Sequence, residues 1–206
     1  MTVSHVLALL ASYFIGAIPN SYLAGKLFKG IDLREHGSGN LGATNVWRTL
    51  GPKFAIPVGI LDSAKGAIPV LFIAPLAADA KLFALACGIM AVLGHVFSVF
   101  VGFKGGKGVA TAAGVMLGLT PLAVVVTTAV WLVILWTTGY SSLGSIVAAA
   151  ILPLAAWLLH PADRDLVWVQ SLVALAIIWF HRSNIRRLLA GTESRFGKRH
   201  RQAPVE

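Results

Sequence analysis

Charge is scarce in this chain. Only 12% of its 206 residues are charged, against 57% apolar, and a soluble domain usually carries about twice that charge. A mean hydropathy of +0.79 points the same way. Together they argue against an ordinary soluble domain and for residence in a membrane. Cysteine is nearly absent. The single Cys87 lies in an apolar run, which excludes a disulfide framework. No pair of histidines has helical or hairpin ligand spacing, so no metal site is expected. A Gly-x-Ser-x-Gly elbow within an α/β pattern is missing too. No basic segment precedes the first apolar run, and that run, from Thr2 to Gly25, is longer than the core of a cleaved signal. It reads as a first span that is retained. There is no internal repeat or low-complexity segment.

Acidic residues are few: 8 against 17 Lys and Arg, for a net charge of +9. The basic residues are not spread along a folded surface. They sit between and after apolar stretches, where a membrane protein places them, so nucleic acid is not an expected partner.

A membrane-spanning helix needs about 20 mostly apolar residues. Val3–Leu27, Phe54–Ala74, Leu82–Val101 and Leu166–Phe180 qualify or come close. Between Gly108 and Ala162 lies an uncharged tract of 55 residues, about 80 Å if fully helical. Pro121 and the Gly139-Tyr140-Ser141-Ser142 cluster are its expected breaks. Residues 109–138 form either one tilted span or two short arms meeting near Thr120-Pro121. Charge placement decides. If 109–138 goes in and returns, Lys26, Lys29, Arg34, Arg48, Lys53, Lys104, Lys107 and seven basic residues of the C-terminal region share one face. Only Lys81 and Arg164 remain on the other. Positive charge favours the cytoplasmic side. The expected architecture is therefore an all-α polytopic membrane protein. It has seven transmembrane helices, an outside N-terminus and a cytoplasmic C-terminus. Five crossings plus a re-entrant hairpin would give the same sidedness. Residues 1–193 form one domain, and 194–206 a basic, loosely ordered tail.

Three polar clusters fall on the cytoplasmic face. The first runs from His36 through Gly37, Ser38, Gly39, Asn40, Gly42, Thr44 and Asn45 to Arg48. Its glycines allow tight turns, and Arg48 suits a phosphate. Gly37, Gly39 and Gly42 match a dinucleotide fingerprint in letters only, since no strand precedes them. The second is Gly102-Phe103-Lys104-Gly105-Gly106-Lys107-Gly108, followed by an apolar helix. It lacks the Ser or Thr of a Walker A loop, but the N–H groups, the helix dipole and Lys107 can converge on an anion. The third contains His181, Arg182, Asn184, Arg186 and Arg187. Interfacial anchoring accounts for Arg186 and Arg187, less well for His181 and Asn184.

Asp62 and Lys65 lie within a span and three residues apart, on one helix face. They neutralise each other, or else Lys65 reaches toward the site. His95 reads as a buried, hydrogen-bonded structural histidine. His160 and Asp165 have a spacing used as a catalytic dyad elsewhere, but topology assigns their loop to the outer face.

These blocks closely resemble the bacterial acyl-phosphate:glycerol-3-phosphate acyltransferases, the PlsY family. The match runs through Asp32-Leu33-Arg34, Gly37-Ser38-Gly39-Asn40, Gly42-Ala43-Thr44-Asn45, Arg48, Leu61-Asp62 with Lys65-Gly66, and Gly94-His95. It continues through Gly102 to Thr111, Tyr140-Ser141-Ser142, and His181-Arg182 with Asn184. The resemblance implies transfer of a fatty acyl group from acyl phosphate to the sn-1 hydroxyl of glycerol 3-phosphate. The products are lysophosphatidic acid and inorganic phosphate, in the first acylation of phospholipid synthesis. It implies no cofactor, a site on the cytoplasmic face of the bacterial inner membrane, and functional coupling to the enzyme that makes acyl phosphate. The expected catalytic residues are Ser38, Arg48, Lys107, His181 and Asn184. Gly37, Gly39, Asn40, Thr44, Asn45, Lys104, Gly105, Gly106 and Gly108 are expected to bind substrate. The base is either His181 or a substrate phosphate. A transporter of phosphorylated metabolites is the rival class. Many such proteins carry paired repeats and midplane sites, and neither is found here.

Overall fold

The computed structural model describes residues 2–78 and 80–196. The regular structure of those residues is all helical, with no strand among them. The helices are α1 (Val3–Ala17), α2 (Asn20–Lys29), α3 (Ala43–Leu50), α4 (Pro52–Ile68), α5 (Lys81–Val96), α6 (Val109–Leu119), α7 (Pro121–Thr138), α8 (Ser141–Leu159), α9 (Val167–Phe180) and α10 (Arg182–Leu189). Five helical stretches are long and apolar enough to cross a membrane: Val3–Lys29, Pro52–Leu76, Lys81–Val101, Pro121–Thr138 and Ser141–Leu159. A sixth is Pro161–Phe180 if its continuation into α10, bent by 56°, counts as one span. Their outer faces are apolar, with Leu132, Val133, Trp136, Leu154 and Leu172 all exposed, which suits contact with lipid chains.

The tract 109–138 breaks at Thr120-Pro121, as its proline predicts. Buried Thr120 receives a hydrogen bond from the Gln170 amide at 3.2 Å. At 11 residues, α6 extends only ~16 Å, about half the hydrocarbon thickness. The expected seventh full crossing is thus a half-length arm. α6 leaves one end of the bundle and α7 returns to it, because Lys107 and Gly139 both meet the C-terminal segment there.

Without water, every backbone group freed by a kink must find a partner inside the protein. Pro19 interrupts the first span between α1 and α2. The carbonyls opened there are taken up by side chains from other spans. Ser98 Oγ donates to Ala17 O at 2.5 Å, and Lys65 Nζ to Ile18 O at 2.7 Å.

Helices in lipid gain from close approach through small residues. Two interfaces use glycine in pairs. Gly16 of α1 lies on the Ala91 carbonyl of α5, while Gly94 of α5 lies on the Tyr13 carbonyl of α1. Gly66 of α4 and Gly114 of α6 do the same against Thr111 and Ser63. A methyl at any of the four would overlap backbone. The α4–α6 interface matters most for function, since it fixes the start of α6.

Gly114→Ala is therefore expected to cost about 1–3 kcal/mol through overpacking and to lower the melting temperature by several degrees (~2–4 °C per kcal/mol). Gly59→Ala is the control, because a Cβ there meets only the Ala43 methyl at 3.5 Å. Thermal unfolding in detergent micelles checks both, and an unshifted Gly114→Ala would contradict the packing argument.

Candidate active site

Loop 30–42 is organised by one amide. Asn45, in the first turn of α3, is buried. Its Oδ1 accepts the Ser38 N–H at 2.8 Å, and its Nδ2 donates to Leu33 O and His36 O, both at 3.0 Å. Both N–H bonds of the amide are thereby committed. Asn45 was expected to bind substrate; the structure has it holding the loop instead. Gly37 takes a left-handed φ of +63° directly over the Asn45 amide, where no side chain fits. Asp32 and Arg34 form a tight pair at 2.6 Å. The Arg34 hydrogen bonds hold the Asp32 carboxyl down to about 2. Arg34 Nη1 also donates to Val101 O at 3.2 Å, tying this loop to the next. Between them opens a cavity of about 410 Å³ lined by Asp32, Arg34, Glu35, Gly39, Asn40, Lys104 and Gly105.

The second glycine loop departs from expectation in one respect. Gly105 N–H donates to Val96 O at 3.0 Å and Gly106 N–H to His95 O at 3.2 Å. These two donors, expected to face an anion, are engaged by the last turn of α5. The N–H groups that remain for a ligand begin at Lys107. They belong to the start of α6, whose first turn has no intrahelical acceptors and lies at the positive end of the dipole. Gly108 caps that helix with a φ of +80°.

Lys107 leads into the main polar cluster, where α3, α6, α8 and α10 meet the C-terminal segment. Lys107 Nζ donates to Asn184 Oδ1. Asn184 Nδ2 and Ser142 Oγ donate to Glu193 Oε1, each at 2.8 Å. Arg187 Nε binds Glu193 Oε2 at 2.6 Å. Arg48 Nη2 donates to Ser194 O at 3.0 Å, while its buried Nε–H has no partner among the described residues. Thr44 joins the rim through Ser141 at 3.1 Å. His181 follows the end of α9. Its Nδ1 lies 2.8 Å from Ile177 O. A carbonyl can only accept, so Nδ1 carries the proton and Nε2 keeps its lone pair.

Burial shapes the electrostatics. It pushes the Lys107 ammonium down to about 8, with Arg187 adding to the effect. It lowers the Arg48 guanidinium as well, and takes the His181 imidazole down to about 4. For Glu193 burial acts upward, but hydrogen bonds from Asn184, Ser142 and Arg187 outweigh it and leave the carboxyl below its ordinary value. Arg48, Lys107 and Arg187 thus share one carboxylate, with an orphaned guanidinium N–H among them. Such a site is short of negative charge, and a phosphate dianion would supply it.

Of the residues expected from sequence, Arg48, Lys107, His181 and Asn184 come together here. Gly39, Asn40, Lys104 and Gly105 line the groove instead, and Ser38 lies exposed beside it. Ser142, Arg187 and Glu193 were missed as site residues. Glu193 did leave a signal, as the only acidic residue between Asp165 and Glu206 in a strongly basic stretch. The tail boundary also moves. Ser194 accepts from Arg48, Phe196 packs on Trp47 with ring centroids 4.6 Å apart, and Phe196 N–H donates to Gly139 O at 2.6 Å. Residues 194–196 are therefore held. The rest of the expected tail, including Lys198, Arg199 and Arg201, lies outside the described residues. His160 and Asp165 sit beyond the far end of α8, ~28 Å along the helix from Ser142. Among the described residues, no three His, Cys, Asp or Glu are grouped to hold a metal ion.

Residues 6–191 match the family model described as glycerol-3-phosphate acyltransferase. Curated relatives of that name include one from Trichlorobacter lovleyi, 49% identical across 90% of this chain and 94% of its own length. Another, from Geobacter sulfurreducens, is 47% identical over the same shares. The fold is similar to a crystal structure of PlsY, an integral membrane glycerol 3-phosphate acyltransferase, in its glycerol 3-phosphate form. The TM-score is 0.87 at 40% identity, covering 94% of this chain and 96% of that one. The lysophosphatidic acid form of PlsY gives a TM-score of 0.84.

The matched segment stops just short of Glu193, whose carboxylate links α8 to α10. Glu193→Gln is expected to leave Arg187 without its counter-charge and, since the Arg187 side chain is 41% exposed and stays partly solvated, to destabilise the fold by only about 1 kcal/mol. Thermal unfolding in micelles measures this, and an unchanged melting temperature would show that the carboxylate is dispensable to the fold.

Proposed function

The chain belongs to the glycerol-3-phosphate acyltransferase (PlsY) family of integral membrane enzymes, and from that premise we propose that it acylates the sn-1 hydroxyl of glycerol 3-phosphate with acyl phosphate as the donor. The products are lysophosphatidic acid and inorganic phosphate, which makes this the first acylation of phospholipid synthesis. The single observation that carries the reading is the half-buried cation cluster of Arg48, Lys107 and Arg187, in which, among the described residues, Glu193 is the one carboxylate and the Arg48 Nε–H has no partner.

Acyl phosphate is a mixed anhydride, so no covalent enzyme intermediate is needed. The work left for the protein is to hold two phosphates and a developing oxyanion in register. Arg48, Asn184 and Ser38 take glycerol 3-phosphate. Lys107 and the first N–H groups of α6 take the donor phosphate, and Lys104 supports it from the groove. His181 accepts a hydrogen bond from the attacking hydroxyl at Nε2 and orients it. The hydroxyl oxygen bonds to the acyl carbon, the C–O bond to phosphate breaks, and the hydroxyl proton ends on the departing phosphate. With its imidazole at about 4, His181 is a poor final acceptor at neutral pH. The acyl chain lies between helices, toward lipid. All these groups lie on the cytoplasmic face of the bacterial inner membrane, where both substrates are made.

A proteoliposome assay with radiolabelled glycerol 3-phosphate and acyl phosphate tests the reading. Label is expected in the lipid phase; label trapped in the lumen would mean a transporter. Arg48→Ala should lower kcat/KM by at least about 100-fold in a folded protein, and full activity would remove Arg48 from the site. Lys107 binds the anion only while protonated, and its proton leaves near pH 8 instead of 10.5. The kcat/KM profile should therefore fall above about pH 8. In Lys107→Arg that limb should vanish, because a guanidinium stays charged to about pH 12 or beyond.

A further inference from the structure

Directly beneath the second glycine loop lies a buried polar cluster that the reaction does not use. Asp62 and Lys65, on adjacent turns of α4, pair at 2.9 Å with side chains only 2% and 5% exposed. Asn20 Nδ2 donates to the same Asp62 oxygen at 3.0 Å, and His95 Nδ1 lies 3.9 Å from it. Lys65 also holds the Ile18 carbonyl opened by the first-span kink. The other side of the His95 ring faces Gly106, where a Cβ would collide with Nε2 and with Leu41 O. A Cβ on Gly105 would collide with the His95 carbonyl. A small cavity of about 10 Å³ lies between cluster and loop, room for roughly one water. Buried Ser21 Oγ, which has no hydrogen-bond partner among the described residues, lines it.

Mutual neutralisation explains Asp62 and Lys65 alone. It does not explain why an amide, an imidazole and a hydroxyl from two further spans converge on them, nor why two glycines lie flush on the result. A buried pair is no cheaper than an apolar pair of the same volume. What the cluster does provide is a rigid, directional floor at a fixed height.

We propose that the Asn20–Asp62–Lys65–His95 cluster is the seat of Gly105 and Gly106, so that Asp62 acts as a positioning residue for the loop that presents Lys107 and the start of α6 to the donor phosphate. The inference rests on the reading of that loop as the acyl-phosphate site. The geometry passes through two steps. The cluster fixes His95, and His95 fixes Gly106 by contact and by its backbone hydrogen bond. Lys107 is the next residue.

The test uses the full-length enzyme in proteoliposomes. Asp62→Asn alone strands a buried lysine and invites unfolding, so the informative variant is Asp62→Leu with Lys65→Met, which removes both charges. It is expected to melt within a few degrees of wild type, because Ile18 O keeps its hydrogen bond from Asn20 N–H at 3.1 Å. Its KM for acyl phosphate should rise about ten-fold or more through misplacement of the loop, while its KM for glycerol 3-phosphate stays within about two-fold. Amide exchange at residues 105–108 should quicken. Asn20→Ala, which keeps the ion pair, should show the same selective rise at about three-fold. Unchanged KM values and unchanged exchange in the double variant would overturn the proposal and leave neutralisation as the cluster's only role. Equal rises in both KM values together with a lowered melting temperature would overturn it too, as a general structural effect. If wild type does not use acyl phosphate yet exchange at 105–108 still quickens in the variant, the donor assignment falls and the seat stands. Should the double variant not fold, Asn20→Ala decides between the same outcomes.

Discussion

Arg48, Arg182 and Arg187 all come within electrostatic reach of Lys107 at one end of the bundle, and among the described residues a single carboxylate, Glu193, lies with them. This imbalance organises everything else at that end. The carboxylate collects Ser142 from the start of α8 and Asn184 and Arg187 from α10. Asn184 in turn receives Lys107 from the start of α6. One negative charge cannot satisfy the cations around it, and that deficit is the basis for proposing that a phosphate binds there. The stabilising contact and the proposed binding capacity therefore have one origin.

The absence of water in the spans acts on the same region from below. The Pro19 kink releases two carbonyls into the bundle, and Ser98 and Lys65 answer them from neighbouring spans. Lys65 needs a counter-charge at that depth, and Asp62 supplies it. His95 and Gly106 stand directly above. A proline in the first span is thus connected by contact to the loop that carries Lys107. Close glycine pairs between α4 and α6 fix the height at which that loop ends and α6 begins. Packing in lipid and geometry at the site are two views of one arrangement.

The architecture was largely legible because it rests on local quantities. Apolar runs of the right length, a break at Thr120-Pro121, and the clustering of Lys and Arg in a few loops are all written linearly. Half of the polar site was legible for the same reason: Arg48, Lys107, His181 and Asn184 stand out as polar residues beside apolar helices. Other residues proved to have partners that residue type does not reveal. Asn45 looks like a ligand-binding amide, but three backbone groups of loop 33–38 have claimed it. Gly105 and Gly106 look like an anion cradle, but their N–H groups belong to α5. Arg187 looked like a membrane anchor, and α6 proved too short for a full crossing.

By itself, the sequence determined that this chain lives in a membrane and that its helices carry their polar groups to one end, and it led to the proposal of phosphate chemistry there. Those conclusions need only composition, spacing and charge. Tertiary structure alone decided which cations share Glu193, which Arg48 donor is left over, and why two glycines lie against His95. Each is a meeting of groups far apart in the chain, Ser142 with Glu193 or Asp62 with Asn20. Such meetings depend on how helices pack, and no linear pattern records that.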